Sequence, residues 1–213
     1  MNEKTKIYIN PLTANNIKLL LLCNALGIQP EFQHVAINRG KQRQEAFLAL
    51  NPDGKVPVLQ QGDLVLTESN AIMQYLASSH QSSLWPQGIE QQAKVLRILF
   101  WQSNYFTAGV GPIAHRKVVL PYWGVGEPEV DKQQWQAFDK AVSALENILD
   151  GSSYLVGNEL SIADISLLAF FLFHKRANMP LKDYPKLQNW LANLADHDWY
   201  ISTESYLNEI LTN

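Results

Sequence analysis

The stretch "NPDGKVPVLQQGDLVLTES", residues 51–69, holds two short apolar runs, "VPVLQ" and "LVLT", parted by Gln61, Gly62 and Asp63. Two such runs around a glycine-containing turn predict a β-hairpin. Pro57 stands inside the first run, although proline has no N–H to give a β-ladder and is excluded from central strands. Either this is an edge strand, or the proline serves something an ordinary peptide link cannot.

Upstream, "KIYIN" reads as a strand. A helix follows from about Asn15 to Leu26, with Gly27 placed to end it in a left-handed conformation. "FQHVAI" is a second strand, and "RQEAFLAL" a short helix ended by "NPDG". Downstream of the hairpin, "ESNAIMQYLASS" is an amphipathic helix with Ile72, Met73, Tyr75 and Leu76 apolar. Residues 1–80 therefore read as one α/β unit of order βαβαββα. Residues 81–89 have linker composition, and strand signals vanish beyond them. Residues 90–213 read as all-helical. This half comprises one long helix over 90–119, its pattern interrupted at Gly109, Gly111 and Pro112, then a loop "LPYWGVGEPE". A second helix over 130–149 follows, with Trp135, Phe138, Val142, Leu145 and Ile148 at helical spacing. Helical "ISLLAFFLFHKR" and "KLQNWLANLA" and a short C-terminal helix complete it.

Composition narrows the function. Hydrophobic residues at 46% against 17% charged ones suit a globular chain, and a net charge of −3 without a lysine/arginine cluster argues against a nucleic-acid surface. The N-terminus has no apolar core of signal-peptide length, and no apolar run spans a bilayer, so a cytoplasmic location and no membrane partner are expected. The one cysteine, Cys23, cannot form an internal disulfide or a C-x-x-C pair, and its apolar helical setting makes it a small core residue. Five histidines show no metal-ligand spacing, and no phosphate loop is present, so neither metal nor cofactor is expected.

Glu68 and Ser69 fall at the start of the "NAIMQYL" helix. Ser69 can cap it, and the helix N-terminus offers free N–H groups and partial positive charge, which suits an anion. Glu68 beside it attracts an ammonium. One carboxylate plus one ammonium is an amino-acid head group.

A βαβαββα unit with Val-Pro entering its third strand resembles the thioredoxin fold, in which that proline is cis. The motif "NPDGKVPVL…LTESNAIMQYLA" resembles the glutathione-binding half of cytosolic glutathione transferases, most similar to bacterial beta-, theta- and nu-like classes. "YLVGNELSIADISL" resembles the helical-domain motif of that family, in which Ser161 and Asp164 form an N-terminal capping box. The resemblance spans nearly the whole chain. It implies that Pro57 is a cis proline and that Val56 binds the cysteinyl backbone of glutathione as an added strand would. Glu68 and Ser69 then hold the γ-glutamyl end. Lys55 and Gln42 stand where the family contacts the glycyl end, Gln42 in place of a histidine of some theta-like members. Asn104 aligns with an acidic residue that some theta-like members direct toward glutathione.

The residue that activates the thiol follows from counting back from Gly27 without gaps. Thr13 falls on the Ser/Thr position of the family and Asn15 on the assisting asparagine of nu-like members. Tyr8 falls one residue from the tyrosine position and faces the other side of the strand. A threonine suffices energetically. Lowering a thiol pKa of ~8.5 by about two units requires ~2.7 kcal/mol. A hydrogen bond to a charged group is worth ~1.5–3 kcal/mol, and a helix N-terminus adds ~0.3–1 kcal/mol. The bland alternative for Thr13 is a plain N-cap. Trp101, Tyr105, Tyr122 and Trp123 are candidates for a second-substrate pocket between the halves.

The resemblance thus implies a homodimeric detoxification enzyme that stabilises the glutathione thiolate and conjugates it to a small apolar electrophile, with glutathione as substrate. A glutathione-dependent disulfide reductase or peroxidase is the second reading, which the Thr13/Asn15 pair favours. A non-catalytic binding module on the same fold is the third.

Overall fold

The computed structural model describes residues 4–212. Residues 1–3 and 213, the outer ends of the two expected units, lie outside the described residues. Four strands, β1 (Lys6–Ile9), β2 (Glu31–His34), β3 (Val58–Gln61) and β4 (Leu64–Leu66), form one sheet in the order β2-β1-β3-β4. β1 runs parallel to β2 and antiparallel to β3, with Ile7 opposite Leu59, and β3 turns straight back into β4. The hairpin expected from the sequence is therefore present, and Pro57 sits just before β3, where its missing N–H removes no ladder bond.

Strand alternation sorts the side chains. Ile7, Ile9 and Leu59 enter the main core with α1 (Ala14–Leu26) and α3 (Ser69–Ser79). Tyr8 points to the opposite face and packs against the small cluster of Val35, Phe47 and Val58, where Phe47 comes from α2 (Glu45–Leu48). α1 is buried from Asn16 to Cys23, including Lys18 at 0% exposure. Apolar character all round is what a helix needs when it is packed on both sides, here by sheet and helices.

The second half contains α4 (Ile89–Trp101), α5 (Thr107–Ala114), α6 (Leu120–Tyr122), α7 (Lys132–Ile148), α8 (Ile162–Leu168), α9 (Pro185–Ala195) and α10 (Asp198–Thr212). The helical path from Ile89 to Tyr122 runs on through Gly109, Gly111 and Pro112, as the reading of one long helix over 90–119 expects. Its irregularities are two widened turns, Gln102–Phe106 and His115–Val119, closed by i→i−5 bonds from Thr107 N–H to Gln102 O and from Leu120 N–H to His115 O. At the first, the Thr107 hydroxyl donates to Gln102 O (3.0 Å) and so competes for the ladder's acceptor. At Pro112 the carbonyl that loses its partner is Ala108 O. The Gln134 amide of α7 donates to it (3.4 Å) and to Gly109 O (3.0 Å).

The 81–89 stretch carries no regular structure before α4, and it is pinned to the core, because Leu84 and Trp85 are buried and Leu84 O accepts from Ile162 N–H at 2.9 Å. Two expectations are corrected. Within "ISLLAFFLFHKR" the α-helix stops at Leu168. Beyond it, i→i−3 bonds such as Phe170 N–H to Leu167 O (3.1 Å) and Phe171 N–H to Leu168 O (2.8 Å) tighten the turns while the phenylalanines stay buried. The C-terminal helix is not short: α10 has 15 residues and lies against α1, where Asn24 donates to Thr203 at 2.8 Å. Among the described residues no helix is long and apolar enough to cross a membrane.

Candidate active site

The Val56–Pro57 peptide is cis. A small cleft of about 60 Å³ opens there, and its lining includes Asn15, Lys55, Val56, Pro57, Glu68 and Ser69. Among the described residues Val56 makes no backbone hydrogen bond, so its N–H and C=O are free for an extended ligand. The loop before it is held by Asn51, whose amide donates to Lys55 O (2.8 Å) and whose Oδ1 accepts from Asp53 N–H (3.1 Å). Gln42 does not reach this lining; it stands behind Gly54, where an added Cβ would come within 3.0 Å of Gln42 O.

Glu68 is the N-cap residue of α3 with φ 66° and ψ 111°, a left-handed-side conformation that an ordinary residue rarely adopts. Such local strain is held at about 1–3 kcal/mol and is concentrated at ligand sites. Ser69 is consequently the first helical residue, and its side chain makes no cap bond, contrary to the expectation. Its hydroxyl is instead clamped from below. It accepts from Lys18 Nζ at 3.2 Å and donates to Asn15 Oδ1 at 3.4 Å.

Lys18 was not among the residues the sequence pointed to, although a lysine inside "NIKLLLLC" is itself a signal, because a charge in a wholly apolar helical run demands partners. Its ammonium also donates to Asn70 Oδ1 (3.0 Å) and Gln102 Oε1 (2.7 Å) and lies 5.6 Å from the centre of the Phe170 ring. Burial pushes this ammonium down to about 7, with the negative charge of Glu68 opposing. Asn70 donates in turn to Leu99 O, Gln102 and Ser103, and Ser166 donates to both Asn70 and Gln102. The helical half thus reaches the Glu68–Ser69 corner through Gln102 and Ser166. Asn104 does not take part: it is exposed, and its amide closes on Phe100 O at 2.9 Å.

Thr13 holds the N-cap position of α1 without a side-chain cap bond. Its hydroxyl accepts from the Asn16 amide and donates to Asn10 O over a long 3.4 Å. One lone pair is therefore occupied, and the hydroxyl proton is only weakly engaged. Thr13 and Asn15 line a second cavity of about 160 Å³ together with Thr107, Gly111, His115 and Phe170. Asn15 belongs to both cavities, so Thr13 lies directly beyond the cis-proline cleft. Burial, with Arg116 adding to it, pushes the His115 imidazole below its ordinary value.

Leu12 joins this cavity to a groove of about 570 Å³ whose walls include Pro11, His34, Tyr122, Trp123, Tyr206 and Ile210. Of the four aromatic candidates, Tyr122 and Trp123 line it. Trp101 packs against Phe106 (centroids 5.4 Å apart), and Tyr105 is 71% exposed, because aromatic spacing on a long helix serves core and surface as readily as a pocket. The wall from α10 was not legible, since the length of that helix was not. Cys23 is buried away from all of this, its thiol pushed up to about 12 by burial.

Comparison with known proteins agrees with this arrangement. Residues 3–78 match the family model described as "Glutathione S-transferase, N-terminal domain", and residues 102–198 match "Glutathione S-transferase, C-terminal domain". The chain is 30% identical over 204 residues to Glutathione S-transferase T1 of Arabidopsis thaliana, which covers 89% of this chain and 82% of that one. Among solved structures, a glutathione S-transferase from Pseudomonas fluorescens superposes with a TM-score of 0.81 at 32% identity, covering 92% of this chain and 96% of the other. Glutathione S-transferase-I bound with lactoylglutathione superposes with a TM-score of 0.83 at 25% identity, covering 95% and 99%.

Proposed function

The chain belongs to the glutathione S-transferase family and is an enzyme of that kind, and from this premise we propose that it binds glutathione in the cis-proline cleft and conjugates its sulfur to a small apolar electrophile. The observation that carries the reading is the gathering of Lys55, Val56, Pro57, Glu68 and Ser69 around one cleft, with Thr13 just beyond it. The unpaired backbone of Val56 receives the cysteinyl residue. Ser69 takes the γ-glutamyl carboxylate, Glu68 the ammonium, and Lys55 the glycyl carboxylate. Thr13 donates a hydrogen bond to the sulfur, with Asn15 assisting, and the thiol proton leaves to solvent. The thiolate then attacks the electrophile held in the groove beside Tyr122 and Trp123, the new C–S bond forming as the leaving group departs with its electron pair. Binding both reactants side by side supplies proximity.

A solved glutathione S-transferase 25% identical to this chain is bound with lactoylglutathione, which supports glutathione as ligand here. A cytoplasmic homodimer acting in detoxification completes the proposal. The exposed Phe100 and Tyr105 suit the interface of such a dimer better than they suit the pocket. Glutathione titration tests the reading: saturable binding below millimolar concentration and turnover of chlorodinitrobenzene are expected, and no saturable binding leaves only a scaffold.

Disulfide reduction by glutathione is the second reading, and the position of Asn15 between cleft and cavity favours it. An asparagine amide there can donate to the sulfur of a mixed disulfide. Faster reduction of a glutathione-reactive disulfide than conjugation of chlorodinitrobenzene would give it precedence.

A further inference from the structure

Lys18 is a buried ammonium whose direct acceptors are all neutral: Ser69 Oγ, Asn70 Oδ1 and Gln102 Oε1. α3 brings Glu68, Ser69 and Asn70; the turn at Gln102–Phe106 brings Gln102. α8 brings Ser166, which shares the Asn70 and Gln102 acceptors, and Phe170 lies just beyond. Glu68 is the ionisable group among them; it is exposed and acts on Lys18 through space. A cation in such a setting lacks a contacting counter-charge.

The direction in which that counter-charge is missing is defined. Ser69 Oγ lies between Lys18 Nζ and the cis-proline cleft that Ser69 lines. An anion that takes the Ser69 hydroxyl proton from its long 3.4 Å bond to Asn15 Oδ1 lies one atom beyond the ammonium. Resting on the glutathione reading, we propose that Lys18 is the positioning residue for the γ-glutamyl carboxylate. Its ammonium holds Ser69 toward the ligand and supplies the counter-charge.

Lys18 itself does not touch the ligand. Its role is to orient Ser69 and to make the anion's charge favourable in a dry corner. Burial disfavours the charge on Lys18 and lowers the affinity of Nζ for its proton in the free protein. A bound carboxylate reverses that preference. The balance is simple: the proton comes from solvent, adds to the lone pair of Nζ, and leaves again when the ligand departs. Through Gln102 and Ser166, the same ammonium also ties ligand recognition to the helical half.

The test uses S-methylglutathione, whose blocked sulfur cannot release a proton, titrated into the full-length protein between pH 6.5 and 8 in two buffers of different ionisation enthalpy. The wild type is expected to take up more than about half a proton per ligand at pH 7.5 and to weaken roughly fivefold to tenfold from pH 6.5 to 8. Lys18→Arg keeps a permanent charge, so it should bind with flat pH dependence and no uptake. Lys18→Met should bind more than about tenfold more weakly at pH 6.5, again without uptake. If Lys18→Met does not fold, the wild-type and arginine measurements decide alone. Wild-type binding without proton uptake overturns the inference, as does uptake that persists in Lys18→Arg. Absence of saturable S-methylglutathione binding at any pH instead overturns the glutathione reading itself, and this inference with it.

Discussion

Thr13 keeps its hydroxyl proton on a long bond to Asn10 O while Asn16 occupies a lone pair of its oxygen. That arrangement leaves the hydroxyl a donor. Replacing it removes one hydrogen bond to a developing thiolate, worth about 1.5–3 kcal/mol, or one to two pKa units. Thr13→Ala is therefore expected to raise the apparent pKa of bound glutathione by at least about one unit with little change in affinity, read from the pH–rate profile. An unmoved profile transfers the role to Asn15 or a backbone amide. Glu68 answers to a different measurement. In the proposed complex its carboxylate faces the ligand's ammonium, so Glu68→Ala should weaken glutathione binding about tenfold or more while turnover at saturation falls far less. Calorimetry beside steady-state kinetics separates the two. At this scale the motif residues were legible because their chemistry is local. Lys55, Val56, Pro57, Glu68 and Ser69 lie on one hairpin and the turn after it, and they share one cleft. Gln42 and Asn104, assigned by resemblance alone, fall outside it.

Among the elements, the long helical path from Ile89 to Tyr122 is the one the sequence expects, but its Gly109 has a different role. Glycine and proline mark breaks by propensity, yet Gly109 is there to admit α7: a Cβ on it would stand 2.6 Å from Ala141 Cβ and 2.7 Å from Ala137 O. Because one of those atoms is backbone, α7 itself must shift. Gly109→Ala should destabilise the fold by about 1–3 kcal/mol despite its gain in helix propensity, measured by denaturant midpoint. At the other extreme, the capping box of α8 was readable from "SIAD". In the structure Asp164 accepts from Ser161 N–H and Oγ, both at 3.0 Å, and also from Leu155 N–H (2.8 Å) and the Trp190 indole (3.1 Å). The first two partners are local and were visible in sequence; the last two come from distant segments and were not. Asp164→Ala strands all of these buried donors, and a loss of about 3–5 kcal/mol is expected in the same measurement. The first widened turn carried no sequence signal, since it depends on where the Thr107 hydroxyl finds its acceptor in the folded helix.

For the whole molecule, buried titratable groups set how stability follows pH. Lys18 falls from its ordinary 10.5 to about 7 in the fold, so between those values the unfolded chain binds the extra proton and stability rises with pH. Below about 7 both states hold the proton, and this group contributes no slope. Cys23 acts oppositely: its thiol rises from 9.0 to about 12, so stability falls as pH climbs past 9. The two slopes cancel roughly midway between 9.0 and 10.5, so the midpoint of thermal unfolding is expected to rise from pH 7 to just below 10 and decline beyond it. Lys18→Met should flatten the rise, and a wild-type midpoint that falls between pH 7 and 9 would contradict the assignment. One apolar core extends from the sheet through α1 into the helical half, and Leu84 and Trp85 of the connecting stretch belong to it. The two halves therefore share a single interior.

The amino-acid order by itself determined the strand and helix succession, the hairpin with its proline, the α8 cap and the acid–serine pair, because each depends on neighbours a few residues away. Only the tertiary structure decided that Lys18, Gln102 and Ser166 meet beneath Ser69, that α10 walls the groove beside Tyr122 and Trp123, and that Gly109 is a contact rather than a break. A buried charge must find partners wherever the packed chain brings them, and those partners lie 51 to 84 residues away along the sequence.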